Sequence, residues 1–232
     1  MDKYDFFNFP IPILKGFLMD PNKVLGDIFD YAIFREANSL SVAKHDAIRQ
    51  AGKNFNVSIG DINKTYNNGN KLYYEYSGKP LPMTGINREV FFKYYENEKT
   101  EFEFVCLLAL LAFKSMLGNK AFMKVTNKFW FSRMAGNPKA VRESEDLPDE
   151  LQKYSKRYWI DKIKTDLRIN WGLVIYSKSN RGFYISKNLT LDKLAYEAES
   201  KKIINKAYQL KEAQNQAYLK ARALLTGKEF PP

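Results

Sequence analysis

Apolar positions recur at helical spacing along most of the chain and alternate along only a few short stretches. Residues 1–19 break the helical pattern: Phe6, Phe7, Phe9, Ile11, Ile13, Leu14, Phe17 and Leu18 are interrupted by Pro10 and Pro12. Proline fixes φ and removes an N–H, so this segment is expected to be extended and packed onto the remainder. Asp20-Pro21 combines a capping side chain with proline at the first helical position. Val24, Leu25, Ile28, Ala32 and Ile33 then share a face, predicting a helix to about Ala37. Ser41 is placed to cap a second helix reaching about Phe55. Residues 56–83, rich in Asn, Gly, Tyr and Pro, read as loop with short pieces of strand or helix. Thr84 then caps a short helix through Tyr95.

From Thr100 to Leu117 the chain is almost continuously apolar and stops at Gly118, predicting a buried helix with Cys106 in its core. Met123 to Val125 suits a short strand, and Thr126 caps a helix over Asn127–Met134 closed by Gly136 and Pro138. Ser155 caps a third helix to about Trp171, stopped by Gly172. Leu173–Ser177 and Phe183–Ser186 are β-branched and aromatic, and they flank the turn-forming loop Lys178–Gly182, a β-hairpin with a basic tip. Thr190 caps a long helix to about Leu225. Leu194, Ala198, Ile204, Tyr208, Tyr218, Ala221 and Leu225 give that helix an apolar side, suited either to packing on its own chain or to dimerisation.

The fold class expected is mostly α with a small β component. An N-terminal helical region (1–96) leads into a helix–strand–helix–helix–hairpin domain (97–188) with an acidic insert at 137–154, and a long C-terminal helix (189–232) follows. The 232 residues are 45% hydrophobic and 27% charged, which places the chain among folding soluble proteins. The longest apolar run, Phe104–Phe113, is too short to span a bilayer, so no membrane association is expected. Asp2 and Asp5 at the N-terminus argue against a secretory leader. The single Cys106 excludes an internal disulfide and suits a reducing compartment, with a cytoplasmic location expected.

One histidine and one cysteine do not make a zinc site. Any Ser-His-Asp or Cys-His mechanism would need His45, which reads as a surface or half-buried helical residue. No GxxxxGK[ST] or GxGxxG phosphate loop occurs. The Asp27/Asp30 pair, three residues apart on a helix, suits the helix dipole better than catalysis. Tyr73, Tyr74 and Tyr76 suit strand or core positions better than base stacking. No enzymatic activity, metal or cofactor is expected. A metal-dependent nuclease using scattered carboxylates finds no supporting spacing.

Charge changes this picture. Residues 1–119 hold 14 basic and 14 acidic side chains, whereas residues 120–187 hold 15 basic against 7 acidic. A local excess of that size attracts phosphate, because neutralising phosphates releases counterions. On the third helix, Trp159, Ile160, Ile163, Leu167 and Trp171 share one face at 100° per residue. The opposite face presents Arg157, Tyr158, Asp161, Lys162, Thr165 and Arg168, with Lys156 and Lys164 on the flanks. Arginine and lysine donate to guanine and aspartate accepts from cytosine, while flanking lysines suit phosphates. At the hairpin tip, Lys178, Asn180 and Arg181 can meet a phosphate or the minor groove.

The element order over 99–187, and most clearly the stretch Ile163–Ser186 with Leu167, Gly172, Ile175, Arg181-Gly182, Phe183 and Tyr184, resembles winged helix-turn-helix DNA-binding domains. It is most similar to those of bacteriophage and mobile-element replication or regulatory proteins. The resemblance implies that the third helix enters the major groove, that the hairpin is the wing, and that double-stranded DNA is the partner. It implies a role as a replication-initiation accessory or transcriptional regulator. Homodimers through the C-terminal helix would suit paired half-sites. The sequence departs from the pattern in one place. About 19 residues, Gly136–Tyr154, separate the second and third helices where 3–4 are usual, and they carry Glu143, Glu145, Asp146, Asp149 and Glu150. These carboxylates would repel DNA near the groove. They leave open a second reading, a phage-type interaction or inhibitor protein that binds a host protein or nucleoprotein at the acidic insert without reading DNA sequence.

Overall fold

The computed structural model describes residues 3–139, 147–179 and 182–226, and it is mostly helical with a small strand component in two sheets. The proline-interrupted N-terminus forms strand β1, Phe6–Pro10, and a 3-10 turn, Ile11–Leu14. Three helices follow: α1 (Pro21–Ala37), α2 (Lys44–Asn54) and α3 (Ile62–Tyr76). The Asp20 carboxylate accepts from the Lys23 N–H and caps α1 as expected. Ser41 does not cap α2; its cap position is Ala43, with no side-chain bond.

Residues 56–83, expected to be loop with short pieces of strand or helix, hold instead the 15-residue helix α3. Asp61 caps it by accepting from the Lys64 N–H. Its low-propensity Asn and Gly residues are outweighed by packing on α1. Gly69 makes the crossing possible: a Cβ there would lie 2.4 Å from the Asp30 carbonyl oxygen and 2.5 Å from Phe34 Cβ. Thr84, expected to start a helix, sits instead in strand β2 (Met83–Asn87) and donates its hydroxyl to the Leu111 carbonyl. Asn87 caps the short helix α4, Arg88–Tyr95. β1 and β2 pair antiparallel from Phe6↔Asn87 to Pro10↔Met83.

Helix α5 (Glu101–Leu117) has the capping box its sequence announces: Thr100 accepts from the Glu103 N–H, and Glu103 accepts from the Thr100 N–H. It is buried along most of its length and packs against β2 on one side and against the later elements on the other. The hydrophobic core therefore runs without a break from Phe7 to Ile185. Strand β3 (Phe122–Val125) and helix α6 (Asn127–Met134, capped by Thr126) follow as expected. After residues 140–146, which lie outside the described residues, the chain forms the short helix α7 (Asp149–Gln152) and then α8, Arg157–Ile169. Ser155 does not cap α8; its hydroxyl donates back to the Gln152 carbonyl. The helix ends two residues before Trp171, which packs 6.3 Å from Tyr94.

Strands β4 (Val174–Ser179) and β5 (Gly182–Ser186) make the expected hairpin with longer arms, since Ser179 pairs with Gly182. β3 adds to the other edge of β5, giving the antiparallel order β3-β5-β4. Helix α9, Leu191–Thr226, completes the chain, with Thr190 accepting from the Lys193 N–H. No helix among the described residues is long and apolar enough to cross a membrane.

Candidate nucleic-acid interface

Helix α8 is held by its apolar face. Ile160, Ile163 and Leu167 are buried, and the helix lies against α5 and β4. Trp159, assigned to the same face, is half-buried between Phe102 and Tyr154, at 5.9 and 5.1 Å between ring centres. This anchoring leaves the expected polar face in solvent: Lys156, Arg157, Tyr158, Asp161, Lys162, Thr165 and Arg168 are all exposed. Arg157 Nε and Asp161 Oδ2 are 3.9 Å apart with both side chains largely in water, so this pair contributes little and remains free to exchange for a ligand. The Thr165 hydroxyl donates to the Asp161 carbonyl. The Lys162 ammonium lies over the Phe102 and Trp159 rings, at 4.6 and 5.0 Å. That contact steers the lysine without consuming its charge.

Lys164 differs from the flanking phosphate contact expected of it. It is half-buried with its ammonium 3.8 Å from the Phe183 ring centre, and burial lowers its pKa. Arg133 is a second basic group withdrawn from the surface. It is 5% exposed, stacks over Phe129 at 5.0 Å, and its Nε and Nη1 have no hydrogen-bond partner among the described residues. Burial lowers its pKa as well. The basic excess of residues 120–187 is therefore only partly available at the surface.

The hairpin stands beside α8 at β4. Its tip residues Asn180 and Arg181 lie outside the described residues, as does the side chain of Lys178. The base of the hairpin is described. Gly182 has φ +122, and a Cβ there would meet the Val125 carbonyl oxygen at 2.6 Å, so the start of β5, where it pairs beside β3, requires glycine. The Lys124 side chain runs past the same point, and Lys124 is exposed without an ion pair among the described residues. Sequence reasoning missed Lys124 because it lies on β3, outside the hairpin; the alternation of that strand is the signal that would have placed it outward. Lys128, in the first turn of α6, is exposed too.

The described part of the acidic insert is docked. Leu147, Leu151 and Tyr154 are buried, and Leu151 lines a small apolar slot with Leu14, Phe17 and Leu108. Lys153 pairs with Glu101 at 2.7 Å. Glu143, Glu145 and Asp146 lie outside the described residues.

Elsewhere, α1, α3 and α4 enclose a cleft of about 590 Å³. Asn68 there donates to both Asp27 (2.8 Å) and Asp30 (2.9 Å), and burial raises the Asp30 pKa. This pair is thus tied to α3, a link that the sequence left invisible. Tyr73 is half-buried against Tyr31 and Phe34, while Tyr74 is exposed; both belong to α3 and to no strand. His45 is exposed on α2, with its ring 6.4 Å from that of Tyr66. Among the described residues, no three His, Cys, Asp or Glu side chains gather in a way that could hold a metal ion. No protein-family model matches the chain, and comparison with curated proteins and with solved structures gives no match.

Proposed function

We propose that residues 101–186 form a winged helix that binds double-stranded DNA, with α8 in the major groove and the β4–β5 hairpin as the wing. The observation that carries this reading is the position of α8. Its exposed face is basic and polar, its other face is fixed to the core, and a hairpin stands at its side. The element order α5, β3, α6, α8, β4, β5 and the sheet order β3-β5-β4 agree with that layout.

In this reading Arg157, Asp161 and Arg168 meet base edges, while Lys156 and Lys162 meet phosphates. Lys124 and Lys128 add phosphate contacts from β3 and α6. The docked second half of the insert keeps Asp149 and Glu150 on a segment anchored beside the N-terminal turn, which reduces the objection raised by the long α6–α8 connection. The protein acts without catalysis, and the resemblance noted above suggests replication initiation or transcriptional control in a phage or mobile element.

The test is a fluorescence-anisotropy titration of the full chain with duplex DNA, against the variant Lys156→Ala/Arg157→Ala/Arg168→Ala. All three side chains are exposed, so the thermal midpoint should hold while affinity falls at least tenfold, about 1.4 kcal/mol or more. Unchanged affinity at an unchanged midpoint would refute α8 as the DNA-contacting element. No duplex binding by the wild type would favour a protein partner.

A further inference from the structure

Helix α9 spans 36 residues, about 54 Å at 1.5 Å per residue. Only its first turns touch the body. Leu194 and Ala198 are buried, the Tyr176 hydroxyl donates to Glu199 at 3.0 Å, and the Lys201 ammonium lies 4.2 Å from the Phe122 ring centre. Beyond Lys201, every side chain described is exposed, including Ile203 (70%) and Leu210 (62%). A lone helix with an uncovered apolar stripe is marginal in water and gains stability when that stripe is packed.

The stripe is regular. Tyr196, Ile203, Ala207, Leu210, Gln214 and Ala217, with Ser200 between the first two, follow alternating steps of four and three, and the sequence continues the pattern at Ala221 and Leu224. That makes four heptads, the length at which a coiled-coil seam becomes a credible assignment. At 100° per residue, the stripe lies roughly 180° around the helix from Leu194 and Ala198, away from the body. A seam with this period is filled by another helix. Charge selects which one and in which direction. Residues 191–200 carry three acidic groups and one basic, whereas residues 201–226 carry six basic and one acidic. A parallel pair would set basic end against basic end. An antiparallel pair sets the acidic start of one helix against the basic end of the other.

We propose that α9 pairs with α9 of a second copy of this chain, antiparallel, along the Tyr196–Leu224 stripe. Its alanines let the helix axes approach closely, and the opposed charge of the two ends sets the antiparallel direction. The proposal does not depend on DNA binding.

The test uses the full chain in light scattering coupled to size exclusion. The wild type is expected at twice the chain mass. Leu210→Glu, at a site that contacts nothing in the body, is expected at the monomer mass with unchanged tryptophan fluorescence. Direction is read from single cysteines, since the native Cys106 is 1% exposed. Mixed Tyr196→Cys and Ala221→Cys chains should form a disulfide-linked heterodimer on oxidation, and Ala221→Cys alone should not link to itself. A monomeric wild type, a dimer that survives Leu210→Glu, or efficient self-linking of Ala221→Cys would each overturn the proposal.

Discussion

Gly69 carries an argument that no side chain could carry. Its missing Cβ lets α3 touch the α1 backbone at Asp30, so adding one methyl meets a carbonyl oxygen that cannot move cheaply. Gly69→Ala is expected to lose about 1–2 kcal/mol, because overpacking outweighs the ~1 kcal/mol of helix propensity gained. Gly26→Ala on α1, where nothing lies within 4 Å, should instead gain up to about 1 kcal/mol. Urea midpoints at constant m-value separate the two, and equal effects would contradict the close crossing. Lys114 gives a residue-scale prediction in pH. Its ammonium donates to the Gly85 carbonyl and lies over the Phe6 ring. Burial, aided by the like charge of Lys187, lowers its pKa from 10.5 to about 8. Between these values the unfolded chain holds a proton that the native chain has released, so stability rises with pH through that window. Below about pH 8 both states are protonated, and the unfavourable burial of charge is fully present. The stability of wild type minus that of Lys114→Met should therefore increase from pH 7 to pH 10; a pH-independent difference would refute the assignment.

At the scale of elements, legibility tracked how local the determining forces are. Helix α5 was readable because its capping box and apolar run lie within its own residues. Helix α8 was readable as well, since Ile160, Ile163 and Leu167 mark a single buried stripe. Helix α3 was not, because it is held by Gly69 against α1 and by the Asn68 bridge to Asp27 and Asp30, contacts between residues some 40 positions apart in sequence. Thr84 shows the same limit: a good capping residue spent its hydroxyl on Leu111 across the fold. Within the candidate interface, the exposed face of α8 followed from periodicity alone. The withdrawal of Lys164 onto Phe183 and of Arg133 into the core did not, because charge counts carry no information about burial.

Across the whole molecule, α5 is the shared wall. Its contact with β2 on one side and with α6, α8 and β5 on the other joins the N-terminal helices to the helix–hairpin region through one continuous core. A rigid base of this kind holds α8 and the β4–β5 hairpin in fixed relation, as the proposed groove recognition requires, while α9 projects away from it. The central claim is that the exposed face of α8 meets DNA phosphates and bases. The most direct test is the salt dependence of duplex affinity for the wild type and the Lys156→Ala/Arg157→Ala/Arg168→Ala variant. The account predicts a linear fall of log affinity with log salt, about 0.9 per phosphate neutralised, and a slope shallower by about 1 in the variant, which loses the phosphate contact of Lys156. Affinity independent of salt, or identical slopes for the two proteins, would contradict it.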